Sequence, residues 1–154
     1  MIERLRAVQQ AHHIEGERKK VSVRALPNPA CIVCGPENPR GLKLQFHAQE
    51  DGVIVAEWTP TPDWEGFRGI IHGGIVSTVL DEAMSQAISA RGWPALTCEL
   101  RVRLRRHVAP GQTLQVRAWI VERQRRKILT EAALAAPDGQ EHAHAWATFL
   151  ALPE

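Results

Sequence analysis

The chain has 154 residues, of which 44% are hydrophobic and 23% are charged, and its formal net charge is +2. These proportions are ordinary for a soluble globular protein and exclude a disordered, collagen-like or low-complexity chain. A chain of this length forms one domain with its own core. No apolar stretch approaches the ~18–20 residues that cross a bilayer, and the charged N-terminus lacks the apolar centre of a signal peptide. We therefore expect a cytoplasmic protein with no membrane partner.

Basic residues are concentrated in the second half of the chain. Between Arg101 and Lys127 there are nine basic residues and one acidic residue. A local basic zone in a nearly neutral protein favours a small phosphorylated ligand, because proteins that bind long nucleic acids are usually basic overall. We therefore expect no nucleic-acid partner.

The N-terminal part of the chain is expected to precede the main domain. The spacing of apolar residues over 2–14 predicts a weak amphipathic helix. Prolines and glycines are too dense over 26–41 for regular structure, so this segment is expected to be a loop. We take residues 1–30 as an N-terminal helix and extension, and residues 31–154 as a single domain.

The main domain opens with two predicted strands. Polar and apolar residues alternate over 42–47 and again over 53–58, with the hairpin signal Asp51-Gly52 between them. A loop containing two glycines is expected over 59–71.

A different period begins after this loop. From Gly74 to Ala90, apolar residues recur in pairs every four residues, which predicts a helix that is apolar over much of its girth and therefore largely buried. Gly92 and Pro94 end it. The period then returns to two in four further predicted strands, over residues 96–104, 114–120, 128–136 and 143–149.

This order of elements predicts an α+β fold. The clean alternation along the strands indicates an antiparallel sheet with one buried face and one polar face. One apolar helix and one single-faced sheet must cover each other. We therefore expect a curved antiparallel sheet wrapped around a central helix at about residues 74–90.

Two adjacent glycines stand where the buried helix is expected to begin. Gly73 and Gly74 allow close approach to the backbone, and a helix N-terminus offers unpaired N–H groups and the positive end of the helix dipole. These groups suit a carbonyl oxygen that becomes negative during a reaction. The alternative is that the glycines only permit a tight turn into the helix.

Asp81 is the acidic residue of this helix with bulky apolar neighbours. On a helical wheel it lies near Met84 and Ile88, whereas Glu82 lies among polar residues. A carboxylate in Asp81's position is either paired with another group, desolvated into reactivity or buried at an interface. Glu82 is expected to be an ordinary residue of the polar face.

The pattern His72-Gly73-Gly74, six residues, then Asp81-Glu82 resembles the hotdog-fold acyl-CoA thioesterases of the phenylacetate-degradation (PaaI-like) type. The leader Cys31-Ile32-Val33-Cys34-Gly35, followed by Asn38-Pro39-Arg40-Gly41-Leu42, resembles that of one branch of the family. The likeness covers about residues 31–151 and implies a hotdog fold.

The resemblance also implies roles for individual residues. Asp81 would be the general base or nucleophile, and the N–H of Gly74 or Gly73 would polarise the thioester oxygen. Thr97 would support the attacking water. Glu65 stands where this branch has a glutamine, so its part in catalysis is open. The site would lie between two subunits, so a homodimer is the minimum unit and a homotetramer is common.

Substrate contacts are expected from two further groups of residues. An acyl slot would be lined by Trp64, Met84 and Ile88. The phosphates of CoA would be held by basic residues at a predicted hairpin tip, which are Arg123, Arg125, Arg126 and Lys127. His72 is expected to fix its loop by a hydrogen bond, with substrate contact as the alternative.

No metal is expected at the cysteines or histidines. Cys31 and Cys34 have a metal-ligand spacing, but zinc takes four ligands and no second pair follows, so a structural cap near the site is favoured. Cys98 is expected in the core. His142 and His144 lie on one strand face with no third ligand nearby in the sequence.

We therefore predict a thioesterase that hydrolyses a small or medium, aliphatic or aromatic acyl-CoA. No cofactor is expected beyond the CoA of the substrate. One alternative is a non-catalytic module that binds an acyl-CoA. The other is a different hotdog reaction such as enoyl-CoA hydration, which normally needs an Asp/His pair that this spacing does not obviously provide.

Overall fold

The computed structural model describes residues 21–22 and 28–153. The helix predicted over 2–14 lies outside these residues, and the domain boundary at residue 30 stays a prediction. The described part contains one long helix, α1 (Gly73–Ser89), and a short 3-10 turn (Pro62–Trp64). Its strands are β1 (Val21–Ser22), β2 (His47–Ala48), β3 (Ile54–Trp58), β4 (Ala95–Leu104), β5 (Leu114–Gln124), β6 (Lys127–Ala135) and β7 (Glu141–Ala151).

These strands form one antiparallel sheet in the order β1-β2-β3-β5-β6-β7-β4. Helix α1 packs against β3, β4, β5, β6 and β7. The long strands and the helix have nearly the bounds that the sequence predicts. The predicted α+β hotdog fold is therefore confirmed, with β4 at one edge of the sheet.

The main core lies between α1 and the sheet. Val79, Leu80, Ala83 and Met84 of the helix are fully enclosed. They pack against the inward side chains of the strands, which include Ile54, Leu114, Val116, Ile128, Leu134 and Phe149. The paired spacing of apolar residues along the helix therefore produces the buried face that its period predicts.

The predicted strand over 42–47 is wrong for most of its length. Leu44 and Phe46 are buried as the alternation requires. However, the N–H groups of Leu42 and Leu44 donate to the carbonyls of Ile32 and Val33 rather than to a sheet neighbour. Only the end of this segment joins the sheet, as β2.

A bulge in β4 changes which of its residues face the helix. Thr97 is opposite Phe149 and Glu99 is opposite Thr148, so Cys98 is the extra residue. Since a one-residue slip turns every following side chain to the other face, the alternation read from the sequence does not hold through this point. Thr97 reaches the helix, and Cys98 is exposed rather than in the core.

The outer face of the sheet is less polar than predicted. Val53, Val55 and Trp119 form a second, smaller apolar cluster. Glu131 and His144 are buried beside it. None of the described helices has the length and hydropathy of a membrane-spanning segment.

Candidate active site

The start of α1 is fixed by His72, which is the residue preceding the helix. Its ring Nδ1 accepts the N–H of Gly74 at 2.9 Å. Its own backbone N–H donates to the carbonyl of Trp64 at 2.9 Å, and the neighbouring Ile71 N–H donates to Val108 at 2.8 Å. These bonds support the expectation that His72 fixes its loop.

The two glycines after His72 differ in what their N–H groups do. That of Gly74 is bonded to the imidazole of His72. That of Gly73 is at the first helical position, where no partner exists within the helix, and no acceptor for it is found in the part of the chain that the structure describes. Of the two predicted donors, Gly73 is therefore the one with a free N–H.

The position of Gly73 lies close to the side chain of Leu104. A Cβ at this position would lie 2.7 Å from Cδ1 of Leu104, which is the last residue of β4. The sheet edge and the first turn of the helix therefore approach each other closely here.

Asp81 lies half-buried in the middle of α1. Its Oδ1 accepts a hydrogen bond from the hydroxyl of Thr97 at 2.9 Å. Burial raises the pKa of Asp81 above its usual value and the charge of Glu82 raises it too, while the bond from Thr97 lowers it. The structure thus brings Asp81 and Thr97 together, and the predicted role of Thr97 in supporting the attacking water stays a prediction.

Glu65 is held in the loop before the helix, where its backbone forms an isolated bridge with Ile71. This bridge places Glu65 just before the start of α1, whereas Asp81 lies in the middle of the helix. Within one chain, the structure therefore does not bring the two carboxylates together.

Glu82 is not the solvated residue that the helical wheel indicates. Its Oε1 accepts the thiol of Cys34 at 3.1 Å and the amide of the buried Gln86 at 2.7 Å. Burial and the hydrogen bond to Glu82 raise the pKa of the Cys34 thiol far above its usual value. The sequence hides this contact because the leader loop and the helix are 48 residues apart.

The family described as Thioesterase superfamily matches residues 68–143, which run from the loop before α1 into β7. The chain belongs to the thioesterase superfamily. This membership confirms the predicted resemblance and the expectation of a thioester hydrolase.

Solved structures agree with this assignment at the level of the fold. The thioesterase superfamily protein RHA08564 has a TM-score of 0.75 and 21% identity over 97% of this chain and 74% of that one. PaaI from E. coli, of the phenylacetic acid degradation operon, has a TM-score of 0.68 and 17% identity over 73% and 81%. The protein smu.793 from Streptococcus mutans UA159, bound to acetyl CoA, has a TM-score of 0.64 and 16% identity over 93% and 96%. No curated protein sequence gives a significant match.

In this superfamily member, the residues expected to line an acyl slot are packed in different ways. Met84 and Ile88 have exposed fractions of 0% and 1% and belong to the main core. Trp64 is half-buried at the end of the 3-10 turn, next to the loop that leads to His72. Of these three residues, Trp64 is the one that keeps exposed surface in a single chain.

The four basic residues lie at the β5–β6 hairpin, as predicted. Arg125 occupies the turn with a φ of 53°, and Arg123 stacks on Trp93 with its Cζ 3.9 Å from the ring centre. Nε of Arg126 donates to the carbonyl of Ala151 at 2.9 Å. These contacts hold the hairpin beside the segment that joins α1 to β4, close to where β4 presents Thr97.

Proposed function

We propose that this protein hydrolyses an acyl-CoA thioester with the carboxylate of Asp81 and the backbone N–H of Gly73. The observation that carries the proposal is the half-buried Asp81 held by Thr97 on the helix that Gly73 begins. Because the pKa of Asp81 is raised, this carboxylate is a better base than an exposed aspartate.

The spacing of these two groups argues for a site shared by two subunits. Gly73 and Asp81 are eight residues apart on α1. At ~1.5 Å per residue they are therefore separated by ~12 Å along the helix axis. A base and an oxyanion donor must each lie ~3 Å from the reacting groups of one thioester. We therefore infer that Asp81 acts with Gly73 of a partner subunit.

The edge strand β4 supplies a way to build such a site. It runs from Thr97, which holds Asp81, to Leu104, which touches Gly73. If two copies of β4 paired antiparallel about a two-fold axis near Leu100, the Asp81 end of each chain would lie beside the Gly73 end of the other. The exposed leucines of this strand support the pairing, with exposed fractions of 62%, 38% and 52% for Leu96, Leu100 and Leu104.

The chemistry then follows from the groups available. Asp81 takes a proton from a water molecule as the water oxygen attacks the thioester carbonyl carbon. The carbonyl oxygen becomes an oxyanion and is stabilised by the N–H of the partner's Gly73. The C–S bond breaks, the CoA sulfur takes up a proton, and the free acid is released. Direct attack by the Asp81 carboxylate, followed by hydrolysis of the anhydride, uses the same geometry.

Recognition of CoA is assigned to the basic hairpin. Arg125 and Lys127 are exposed beside Arg123 and Arg126, a charge pattern that suits phosphate groups. The structural neighbour smu.793, which is bound to acetyl CoA, supports a CoA ester as the substrate class.

The test is release of free CoA thiol from short-chain, medium-chain and aromatic acyl-CoA esters by the full-length protein. We expect turnover of at least one ester, and a loss of about 10²–10⁴-fold in kcat for Asp81→Asn. The exposed Glu57 on β3 gives a matched control, since Glu57→Gln changes the same charge without touching α1. Saturable binding without thiol release would contradict the proposal and favour a binding module, and hydration of a crotonyl-type ester without thiol release would favour the hydratase alternative.

A further inference from the structure

The leader loop places two thiols against the helix that carries Asp81. Sγ atoms of Cys31 and Cys34 and a carboxylate oxygen of Glu82 all lie within 4.8 Å of one another, and all three residues are half-buried. Gln86, which is 5% exposed, points its amide at both Cys34 (3.5 Å) and Glu82 (2.7 Å). We propose that Cys31, Cys34 and Glu82 bind a thiophilic divalent cation of the zinc type, with Gln86 or a water molecule as the fourth ligand.

The donor set and its spacing fit such an ion. Zinc binds thiolate sulfur at ~2.3 Å and carboxylate oxygen at ~2.0–2.2 Å in tetrahedral geometry, which places neighbouring donor atoms ~3.5–3.8 Å apart. Cys34 and Glu82 are 3.1 Å apart in the hydrogen-bonded arrangement, so a small outward shift would admit the ion. The assignment of nitrogen and oxygen in a glutamine amide is interchangeable, and the Gln86 oxygen would face the ion after a flip.

The loop is built to hold the two thiols in place. The Cys31 sulfur accepts the N–H of Val33 at 3.4 Å, a bond that also stabilises a metal-bound thiolate. Gly35 follows Cys34 at a position where a Cβ would lie 2.3 Å from the Cys31 nitrogen, so the tight turn excludes any side chain there. Nζ of Lys43 stabilises the turn by donating hydrogen bonds to the carbonyls of Gly35 and Pro36, at 3.3 and 2.7 Å.

The surroundings favour metal binding over a redox role for the two thiols. Disulfide exchange requires a thiolate, and a neighbouring carboxylate disfavours it. The same carboxylate is a ligand for a cation. Among the described residues, no Lys, Arg or His side chain pairs with Glu82, so a cation would be its first positive partner. Binding would release two thiol protons to water, so two thiolates and one carboxylate would face a doubly charged ion and the net charge would stay the same.

The inference does not depend on thioester hydrolysis, although the ion would sit next to Asp81 and pin the leader loop to α1. In the sequence, the absence of a second Cys or His pair argues against a metal. In the structure, the carboxylate of Glu82 and the amide of Gln86 stand where the missing ligands are needed.

The test uses the reduced, chelator-treated full-length protein titrated with Co²⁺ and then Zn²⁺. We expect one equivalent of Co²⁺ to bind with a thiolate charge-transfer band and the strong visible absorption of a tetrahedral site, and Zn²⁺ to displace it. Cys31→Ser and Cys34→Ser should each weaken Co²⁺ binding and lower the intensity of the charge-transfer band, which follows the number of thiolate ligands. Glu82→Gln should weaken binding by more than the ~10–100-fold that an outer-shell partner is worth. Cys98→Ser is the control, because this exposed thiol lies on β4 away from the cluster.

A second measurement keeps the inference falsifiable if a serine variant folds poorly. In the wild-type protein, Zn²⁺ should protect Cys31 and Cys34 from alkylation without changing the reactivity of Cys98. Absence of Co²⁺ binding in the wild type, a thiolate band of full intensity in Cys34→Ser, or a weakened band in Cys98→Ser would each overturn the inference. So would equal alkylation of all three cysteines with and without Zn²⁺.

Discussion

Gly73 and Asp81 lie on one helix, eight residues apart, and each touches the same edge strand at opposite ends. Asp81 meets β4 through Thr97, and Gly73 meets it at Leu104. One chain therefore contains both halves of the proposed site but keeps them ~12 Å apart. In the proposed dimer, a second copy related by a two-fold axis would bring the halves together, so the proposal predicts that activity requires dimerisation.

The bond from Thr97 to Asp81 predicts a change in both rate and pH dependence. Thr97→Ala should lower kcat about 10-fold, because a bond to a charged group worth ~1.4 kcal/mol is lost. The bond lowers the pKa of Asp81, so its removal should raise that pKa. The acid limb of the pH–rate profile of Thr97→Ala should therefore move to higher pH. Thr97→Ser keeps the hydroxyl and should restore both. A rate loss in Thr97→Ser as large as in Thr97→Ala would assign Thr97 a packing role instead.

His72 predicts a stability effect rather than a catalytic one. His72→Ala removes the acceptor for the Gly74 N–H and should lower the free energy of unfolding by about 0.5–2 kcal/mol, measured by denaturant titration. His72→Asn offers another good N-cap acceptor and should recover most of that loss. If both variants unfold like the wild type yet lose thioesterase turnover, the imidazole acts on the substrate and the capping role is wrong.

The edge strand predicts that a charge in its centre abolishes assembly. Leu100→Glu should convert the protein to monomers in sedimentation and remove turnover together with the dimer, because unsatisfied carboxylates would face each other across the two-fold axis. Val121 on β5 has the same 38% exposure and provides the control. Monomers that keep wild-type turnover, or dimers that survive Leu100→Glu, would contradict the proposed pairing.

Much of the architecture is predictable from the sequence because the spacing of apolar residues indicates which side of each helix or strand is buried. The helix over 73–89 and the long strands repeat their apolar residues at the period of their own geometry. Contacts that depend on register are not recorded in this way. The bulge at Cys98 reverses the faces of β4, and nothing in the local alternation marks it.

The same distinction applies to the candidate site, where residues of one short segment are predictable and contacts between distant segments are not. Asp81, Gly73 and His72 share one segment, so the spacing of a short motif predicts them. The pairing of Cys34 with Glu82 joins segments that are distant in the sequence, and a helical wheel treats Glu82 as a solvated residue. The one sign of this pairing in the sequence is a Cys-x-x-Cys-Gly turn without a second ligand pair.

The buried His144 predicts a loss of stability in alkaline solution. Its two ring nitrogens face Glu131 at 3.1 Å and Glu141 at 3.2 Å, and Arg105 pairs with Glu141 at 2.8 Å. Burial lowers the pKa of His144, but the two carboxylates outweigh it and the net shift is upward. The stabilisation that protonated His144 gains from the two carboxylates is therefore complete below the unfolded pKa of ~6.5. It is lost as the pH rises through the folded pKa of His144.

Unfolding free energies measured between pH 5 and 9 test this prediction. The wild type should lose stability across the upper part of the range, and His144→Gln should flatten that slope, since Gln donates one hydrogen bond but cannot titrate. An unchanged slope in His144→Gln would assign the pH dependence to other groups.

A mixed dimer tests the shared site most directly. One subunit carries Asp81→Asn and the other carries Gly73→Pro, which removes the donor N–H at the first helical position, where proline is tolerated. Different affinity tags allow the heterodimer to be purified after co-expression. Each homodimer of a variant should be dimeric and inactive toward the acyl-CoA that the wild type cleaves. If Asp81 acts with Gly73 of the partner subunit, the heterodimer keeps one intact site and about half of the wild-type turnover. If both groups act within one chain, every site of the heterodimer is damaged, and turnover no higher than that of the variant homodimers would contradict the shared site.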